Sequence, residues 1–301
     1  MLDVALIGTG GMMPLPNRFL TAMVARTNGK MILVDCGEGT QVTLKLLGWG
    51  FKTIDIICIT HYHADHIAGL PGLLLTIGNS GRTEPIHIYG SKGLQTVING
   101  LLVIAPELPF PIITHEFSEE VEEITLEGIT IQAMQVEHRI PCYAYSFYLK
   151  RNGKFDLERA KALEIPKYLW SKLQKKEFVT YKGRTYSPDM VLGQERKGIK
   201  ISYCTDSRPV QRLIPFIENA DLFICEGLYG DEEKLEKATK HKHMIFREAA
   251  ELAKQANVSE LWLTHYSPAM TNPQEFLSDA QNIFANTKAG YDRISKTILF
   301  E

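Results

Sequence analysis

The 301-residue chain predicts a mixed α/β fold whose strands run out into a shared polar edge. Short apolar or alternating runs recur along it, with helix-like segments between them. Four of these runs stop at, or just before, a histidine or an aspartate. The densest case is Ile54-Asp55-Ile56-Ile57-Cys58-Ile59, followed at once by Thr60-His61-Tyr62-His63-Ala64-Asp65-His66.

In chain order, strand-like pieces near 2–8, 18–26 and 30–35 lead into a helical stretch from about Gln41 to Leu47. After the dense run comes an amphipathic segment near 66–78, interrupted by Pro71 and Gly72. A strand at Ile86-His87-Ile88-Tyr89 and a helix near 93–104 follow, and Pro106, Pro109 and Pro111 mark an irregular connection. Ile129 to Val136 alternates like a strand and runs into Glu137-His138. Ile199 to Cys204 runs into Thr205-Asp206, and Glu260 to Leu263 runs into Thr264-His265. Residues 247–256 and 273–286 read as helices, and Ile298-Leu299-Phe300 as a strand closing a sheet. Ile59-Thr60-His61 and Leu263-Thr264-His265 are matching strand endings, as two similar halves would produce; coincidence explains them equally well.

Three imidazoles and a carboxylate between His61 and His66 are costly to crowd together unless a cation organises them. In an extended or tightly turned loop His61 and His63 point one way while Asp65 and His66 swing past them. That gives two adjacent incomplete shells rather than one closed tetrahedron. Imidazole with carboxylate suits Zn²⁺, with Mn²⁺ or Fe as alternatives, and open shells leave room for a reactive water. His138, Asp206 and His265, at the other strand ends, are the candidates to complete them. Cys204 reads as a buried strand thiol, and His87 and His115 as structural.

Composition narrows the class. Net charge is −2 and no apolar run approaches the roughly 20 residues that span a bilayer, so no membrane segment is expected. The five cysteines are odd in number and scattered through apolar runs, and the first residues lack the basic start of a secretory signal. Both predict a reducing, cytoplasmic setting. Residues 150–200 stand apart, with fourteen Lys or Arg against six acids, so the rest of the chain is acidic. One basic segment on an acidic protein is how a handle for a polyanion looks, with Lys172, Lys175 and Lys176 as candidate RNA contacts. Tyr168, Trp170, Phe178 and Tyr181 are interleaved there as candidate stacking groups. A solvated insertion whose aromatics pack locally is the competing reading.

The His-x-His-x-Asp-His run, with His138, Asp206 and His265, resembles the metallo-β-lactamase superfamily. Within it, Val34-Asp35-Cys36-Gly37-Glu38-Gly39-Thr40-Gln41, Ile67-Ala68-Gly69-Leu70-Pro71-Gly72-Leu73-Leu74 and Arg247-Glu248-Ala249-Ala250 resemble the ribonuclease Z family, endonucleases that trim precursor-tRNA 3′ ends. The resemblance spans the chain. It implies a single four-layer αββα domain over 1–301 with an inserted helical arm at about 150–200, two zinc ions, a homodimer, and hydrolysis of a phosphodiester in precursor tRNA. By that resemblance His61, His63 and His138 hold one metal, Asp65, His66 and His265 the other, and Asp206 bridges them. Asp65 is then also the candidate general base, and His243 the group assisting the leaving ribose oxygen. Glu226 is placed to orient His243 through a hydrogen bond.

Substrate-reading stretches differ from the family. His243 is followed by Met244-Ile245 rather than Ser-Thr, the N-terminal loop reads Pro14-Leu15-Pro16-Asn17-Arg18-Phe19, and Ala269-Met270 follows Ser267-Pro268. Two further readings therefore stay open: a hydrolase of the same fold acting on another phosphodiester or a small ester, and a metal- and RNA-binding protein without turnover.

Overall fold

The computed structural model describes every residue except Glu127, together with the backbone but not the side chain of Leu126. Its strands are β1 Leu2–Gly8, β2 Ala22–Thr27, β3 Lys30–Val34, β4 Ile54–Cys58, β5 Ile86–Gly90, β6 Ile112–Glu116, β7 Val121–Leu126 and β8 Ile129–Val136. There follow β9 Cys142–Arg151, β10 Val179–Tyr181, β11 Arg184–Tyr186, β12 Arg196–Cys204, β13 Leu222–Glu226, β14 Leu261–Thr264, β15 Thr287–Ala289 and β16 Ser295–Ile298. Two seven-stranded sheets result, in the orders β16-β1-β2-β3-β4-β5-β6 and β15-β14-β13-β12-β9-β8-β7.

The sheets stack face to face because their strands alternate. Val4, Leu6, Ile32, Val34 and Ile56 from one sheet meet Ile131, Tyr145, Phe147, Ile201, Tyr203, Ile224 and Trp262 from the other in one buried core. The opposite faces are apolar too, so each needs a helical cover. Helices Thr40–Leu47, Leu70–Asn79 and Leu94–Leu102 cover the first sheet. Helices Leu213–Ile217, Phe246–Gln255 and Leu277–Ile283 cover the second. The layers are α, β, β, α.

Both sheets have the same internal plan: four antiparallel neighbours, then three parallel additions. In the first, β16, β1, β2 and β3 are antiparallel and β4 to β6 parallel. In the second, β7, β8, β9 and β12 are antiparallel and β13 to β15 parallel. By position β4 therefore matches β13, and β14 matches β5. The Thr-His endings after β4 and β14 are not equivalent places, and their likeness does not come from the two-half plan. Equivalence instead pairs the end of β3, where Asp35 stands, with the end of β12, before Asp206.

Some boundaries differ from expectation. The last strand is Ser295–Ile298, paired with β1, so Leu299 and Phe300 lie beyond it. The segment 66–78 is a single turn at Ala64–Ile67 and then a helix from Leu70, which starts where Pro71 is tolerated in the first turn. Residues 273–286 divide into a 3₁₀ turn at Pro273–Phe276 and the helix that follows.

Residues between β9 and β12 leave the sandwich as an excursion between two paired strands, with Arg151 opposite Arg196 at its base. It contains helices Leu157–Ala162 and Lys167–Gln174 and the β10–β11 hairpin. Ala160, Ile165, Leu169, Leu173, Val179, Tyr186 and Val191 form its own small core. Among the described residues, no helix is long and apolar enough to cross a membrane.

Candidate metal centre

Every candidate ligand sits just past the carboxyl end of a strand, and those after β4, β12 and β14 lie where parallel strands leave a crevice for ligands. After β4 the chain stays extended through His63 and then makes the turn Ala64–Ile67, with His63 at its N-cap. His61 and His63 therefore leave an extended segment, while Asp65 and His66 leave a helical one and are aimed differently. β8 delivers His138, β12 Asp206 and β14 His265.

These residues converge in two groups. His61, His63, His138 and Asp206 form one, and Asp65, His66 and His265 the other; within each, the ligand atoms lie within 4.8 Å of one another, as they also do among Asp206, His243 and His265. His61 Nε2 is 2.8 Å from His63 Nδ1, which is 3.3 Å from His138 Nε2. His66 Nε2 and His265 Nε2 are 3.3 Å apart. Two nitrogens each about 2.0–2.1 Å from a tetrahedral zinc stand about 3.3 Å apart, so the spacing fits a shared cation. Asp206 lies between the groups. Its Oδ1 is 3.2 Å from His66 Nε2 and 3.1 Å from His265 Nε2, while Oδ2 is 3.7 Å from both His61 Nε2 and His138 Nε2. Oδ1 is buried with no well-aligned hydrogen-bond donor. A carboxylate facing two clusters of imidazole lone pairs is what a bridge requires. The residues present fit a pair of metal ions.

The protonation environment agrees for the first group. Burial above all lowers the pKa of His61, His63 and His138, which favours the neutral ring a ligand needs. His66 goes the other way: burial opposes its charge, but Asp206 and Asp35 outweigh it. Burial also opposes the charge on Asp206, yet His265, His66 and His61 hold its carboxyl well below the usual range.

Asp35 is the residue the sequence reading left without a role. It is fully buried, accepts from His66 Nδ1 at 2.8 Å, and takes both the amide (2.8 Å) and the hydroxyl of Thr60. With Nδ1 engaged, Nε2 of His66 faces the ligand cluster. A detectable signal was present, since an acid ending the apolar strand β3 must be paired wherever it is buried. His138 is oriented similarly by the Lys242 carbonyl, 3.2 Å from its Nδ1.

Asp35, Asp206 and His265 all have φ between 51° and 58°. Non-glycine residues in this left-handed region cost of order 1–3 kcal/mol each, and such strain collects at functional sites. Gly11 has the complementary job: a Cβ there would lie 2.7 Å from His265 Cε1, so only glycine lets the N-terminal loop pass the ring. Beside it, Met12 donates its amide to Asp65 Oδ2 at 2.7 Å.

His243 borders the same cleft, of about 500 Å³, together with His63, Asp65, His138 and His265. Its Nδ1 is 3.1 Å from Glu226 Oε2. Glu226 is fully buried at the end of β13 and also accepts the Ser207 amide at 2.6 Å. Burial works against the charge on His243, but Glu226 outweighs it and raises the pKa to about 9. Arg208 donates to the His243 carbonyl and forms a two-pronged pair with Glu248, which also caps Ile245 N at 3.1 Å. This clamp was missed from sequence, where Glu248 was only part of a matching stretch.

Other candidates fall elsewhere. Cys204 is buried in the outer core of the second sheet and belongs to neither ligand group. His87 and His115 contact each other on neighbouring strands β5 and β6, Nδ1 to Nε2 at 2.9 Å. In the arm Lys172 and Lys175 are exposed, whereas Lys176 is paired with Glu195. The four arm aromatics divide. Trp170 and Tyr181 pack on the arm's core, with Trp170 donating to the Ile165 carbonyl, while Tyr168 and Phe178 are 69% and 71% exposed. Arg18 is spent on the carbonyls of Met270 and Thr271.

A family profile described as anti-Pycsar protein Apyc1 matches residues 2–159, which hold the His61–His66 run and His138 but end within the arm. Over the whole chain, ribonuclease Z of Lachnoclostridium phytofermentans is 54% identical, covering 100% of this chain and 99% of that one. The crystal structure of human tRNase Z, short form, superposes with a TM-score of 0.71 at 26% identity, over 99% of this chain and 100% of that one. The metallo-β-lactamase fold protein YhfI from Bacillus subtilis superposes with a TM-score of 0.70 at 22% identity, over 98% of each chain. The protein thus has the metallo-β-lactamase fold, and the chain belongs to the ribonuclease Z family.

Proposed function

We propose that this protein is a dinuclear-metal phosphodiesterase that cleaves precursor tRNA endonucleolytically at its 3′ side. The observation that carries this reading is the convergence of seven ligand-type residues into two groups about the buried Asp206. His61, His63 and His138 would hold one ion, Asp65, His66 and His265 the other, and Asp206 both. Two Zn²⁺, with Mn²⁺ or Fe as alternatives, would supply a water of lowered pKa and positive charge to offset that of the phosphodiester.

The chain's own groups do the rest. Asp65 lies at the cleft with one oxygen anchored by the Met12 amide, so its carboxylate is placed to take a proton from the attacking water. His243 is held through Nδ1 by Glu226, which leaves Nε2 as the nitrogen able to deliver a proton to a leaving ribose oxygen. Glu226 is a positioning residue. Lys172 and Lys175 on the arm serve as contacts to RNA phosphates, and Lys176 contributes less because of Glu195. The whole reads as one domain carrying an arm, acting in the cytoplasm as a homodimer. The test is hydrolysis of precursor tRNA beside a bis-aryl phosphate by zinc- and manganese-loaded protein. Turnover of the aryl diester alone would move the assignment to a hydrolase of another phosphodiester or a small ester; turnover of neither would leave a binding protein.

A further inference from the structure

The cleft beside the ligands has one wall of cations that the proposed reaction leaves without a task. Arg139 follows His138 directly, is exposed, and lines the cleft with Lys237 and His241. Its contact is Nη2 to His241 Nδ1 at 2.5 Å. An arginine has no lone pair to offer, so His241 must accept through Nδ1, with its own proton on Nε2. This holds the guanidinium at one end and leaves its remaining donors free.

Arg139 lacks the acid that several other cations around the site hold. Lys242 takes Glu137, Arg208 takes Glu248, and Arg247 takes Glu232 and Glu251. Among the described residues Arg139 has no carboxylate partner, and Lys237 lies over the Tyr229 ring instead. A guanidinium fixed at one end, unpaired, at the mouth of a hydrolytic cleft suits a bidentate oxyanion. Another phosphate of the same strand is the oxyanion that a polynucleotide brings and a small diester does not.

We propose that Arg139 grips a phosphate adjoining the scissile one, with His241 as the strut that orients it, and so makes the site prefer a polynucleotide to an isolated diester. This rests on the nuclease reading above. The test compares Arg139→Ala, Arg139→Lys and His241→Ala with the parent, each metal-loaded, on a precursor-tRNA 3′ fragment and on bis(p-nitrophenyl) phosphate. Arg139→Ala should lower kcat/KM on RNA by roughly tenfold or more, as loss of a charge-assisted bond implies, and on the aryl diester by under about threefold. It should also reduce the log–log salt slope of RNA binding by about 0.7, the value for one contact to single-stranded nucleic acid. Arg139→Lys should recover part of the loss, and His241→Ala should show a smaller loss of the same pattern. An unchanged RNA rate and salt slope in Arg139→Ala, or equal losses on both substrates, overturns the inference while the nuclease reading stands. A parent that hydrolyses the aryl diester and no RNA removes both.

Discussion

The metal centre and the arm are built in opposite ways. Each proposed ligand at the centre is fixed by a strand end, and three are held again by a second group: Asp35 for His66, the Lys242 carbonyl for His138, the Met12 amide for Asp65. Most of these side chains are buried, so a displaced ring has nowhere to go. The arm instead is a small core on a two-strand stem, with its charges and Tyr168 and Phe178 turned outward. The centre trades backbone strain at Asp35, Asp206 and His265 for fixed geometry, while the arm presents charge without fixing it. Chemistry demands placement within fractions of an ångström, whereas a polyanion grip needs mainly sign and reach.

The largest effect should come from the element the two metal groups share. Asp206→Ala should lower phosphodiesterase activity by at least about a thousandfold, the scale of losing several kcal/mol of charge stabilisation, and disturb occupancy of both positions. Next, His243→Ala should lower RNA cleavage by about a hundredfold or more, and hydrolysis of an activated aryl phosphate far less, since that leaving group scarcely needs a proton. Metal content should not change. Equal losses would assign His243 a binding or folding role. Glu226→Gln should repeat the pattern more weakly.

Excising the arm separates the two regions. Arg196 stands opposite Arg151 in the β9–β12 pair and donates through Nε to the Asn152 carbonyl at 3.0 Å, so the ends of a 155–195 deletion lie close together and a short linker suffices. Metal content and aryl diester hydrolysis should persist, while tRNA cleavage falls roughly tenfold or more through binding. Reversing Lys172 and Lys175 should flatten a log–log salt slope of about −3 to −4, the range for four engaged phosphates. Unaltered tRNA cleavage and salt dependence would end the handle reading. The group behind His66 is tested through metal affinity rather than turnover: Asp35→Asn should weaken it by about 10–100-fold without removing a ligand, read by chelator competition.

The same contrast explains what was legible in sequence. All seven proposed ligands could be picked out because their chemistry is costly without a metal, and because strands deliver them at their ends. Asp35 escaped because its value lies in a partner 31 residues away. The Arg208–Glu248 clamp escaped for the same reason, since no local pattern announces a pair between a loop and a helix first turn. In the arm, composition showed the charge but not its use: Lys176 turns to Glu195, and Trp170 and Tyr181 turn inward. A short insertion must bury some aromatics to fold, and sequence does not say which. Of the two explanations left open for the Thr-His echo, coincidence holds: it is a likeness of tripeptides, whereas the two-half equivalence runs through strand order.

The central claim is that two metal ions share Asp206, and metal stoichiometry measured alongside activity tests it most directly. Chelator-stripped protein titrated with Zn²⁺ or Mn²⁺ should regain full turnover only as bound metal approaches two equivalents, with Asp206→Ala failing to reach that occupancy. Full activity at one tightly held equivalent, or two equivalents retained by Asp206→Ala, would contradict the account.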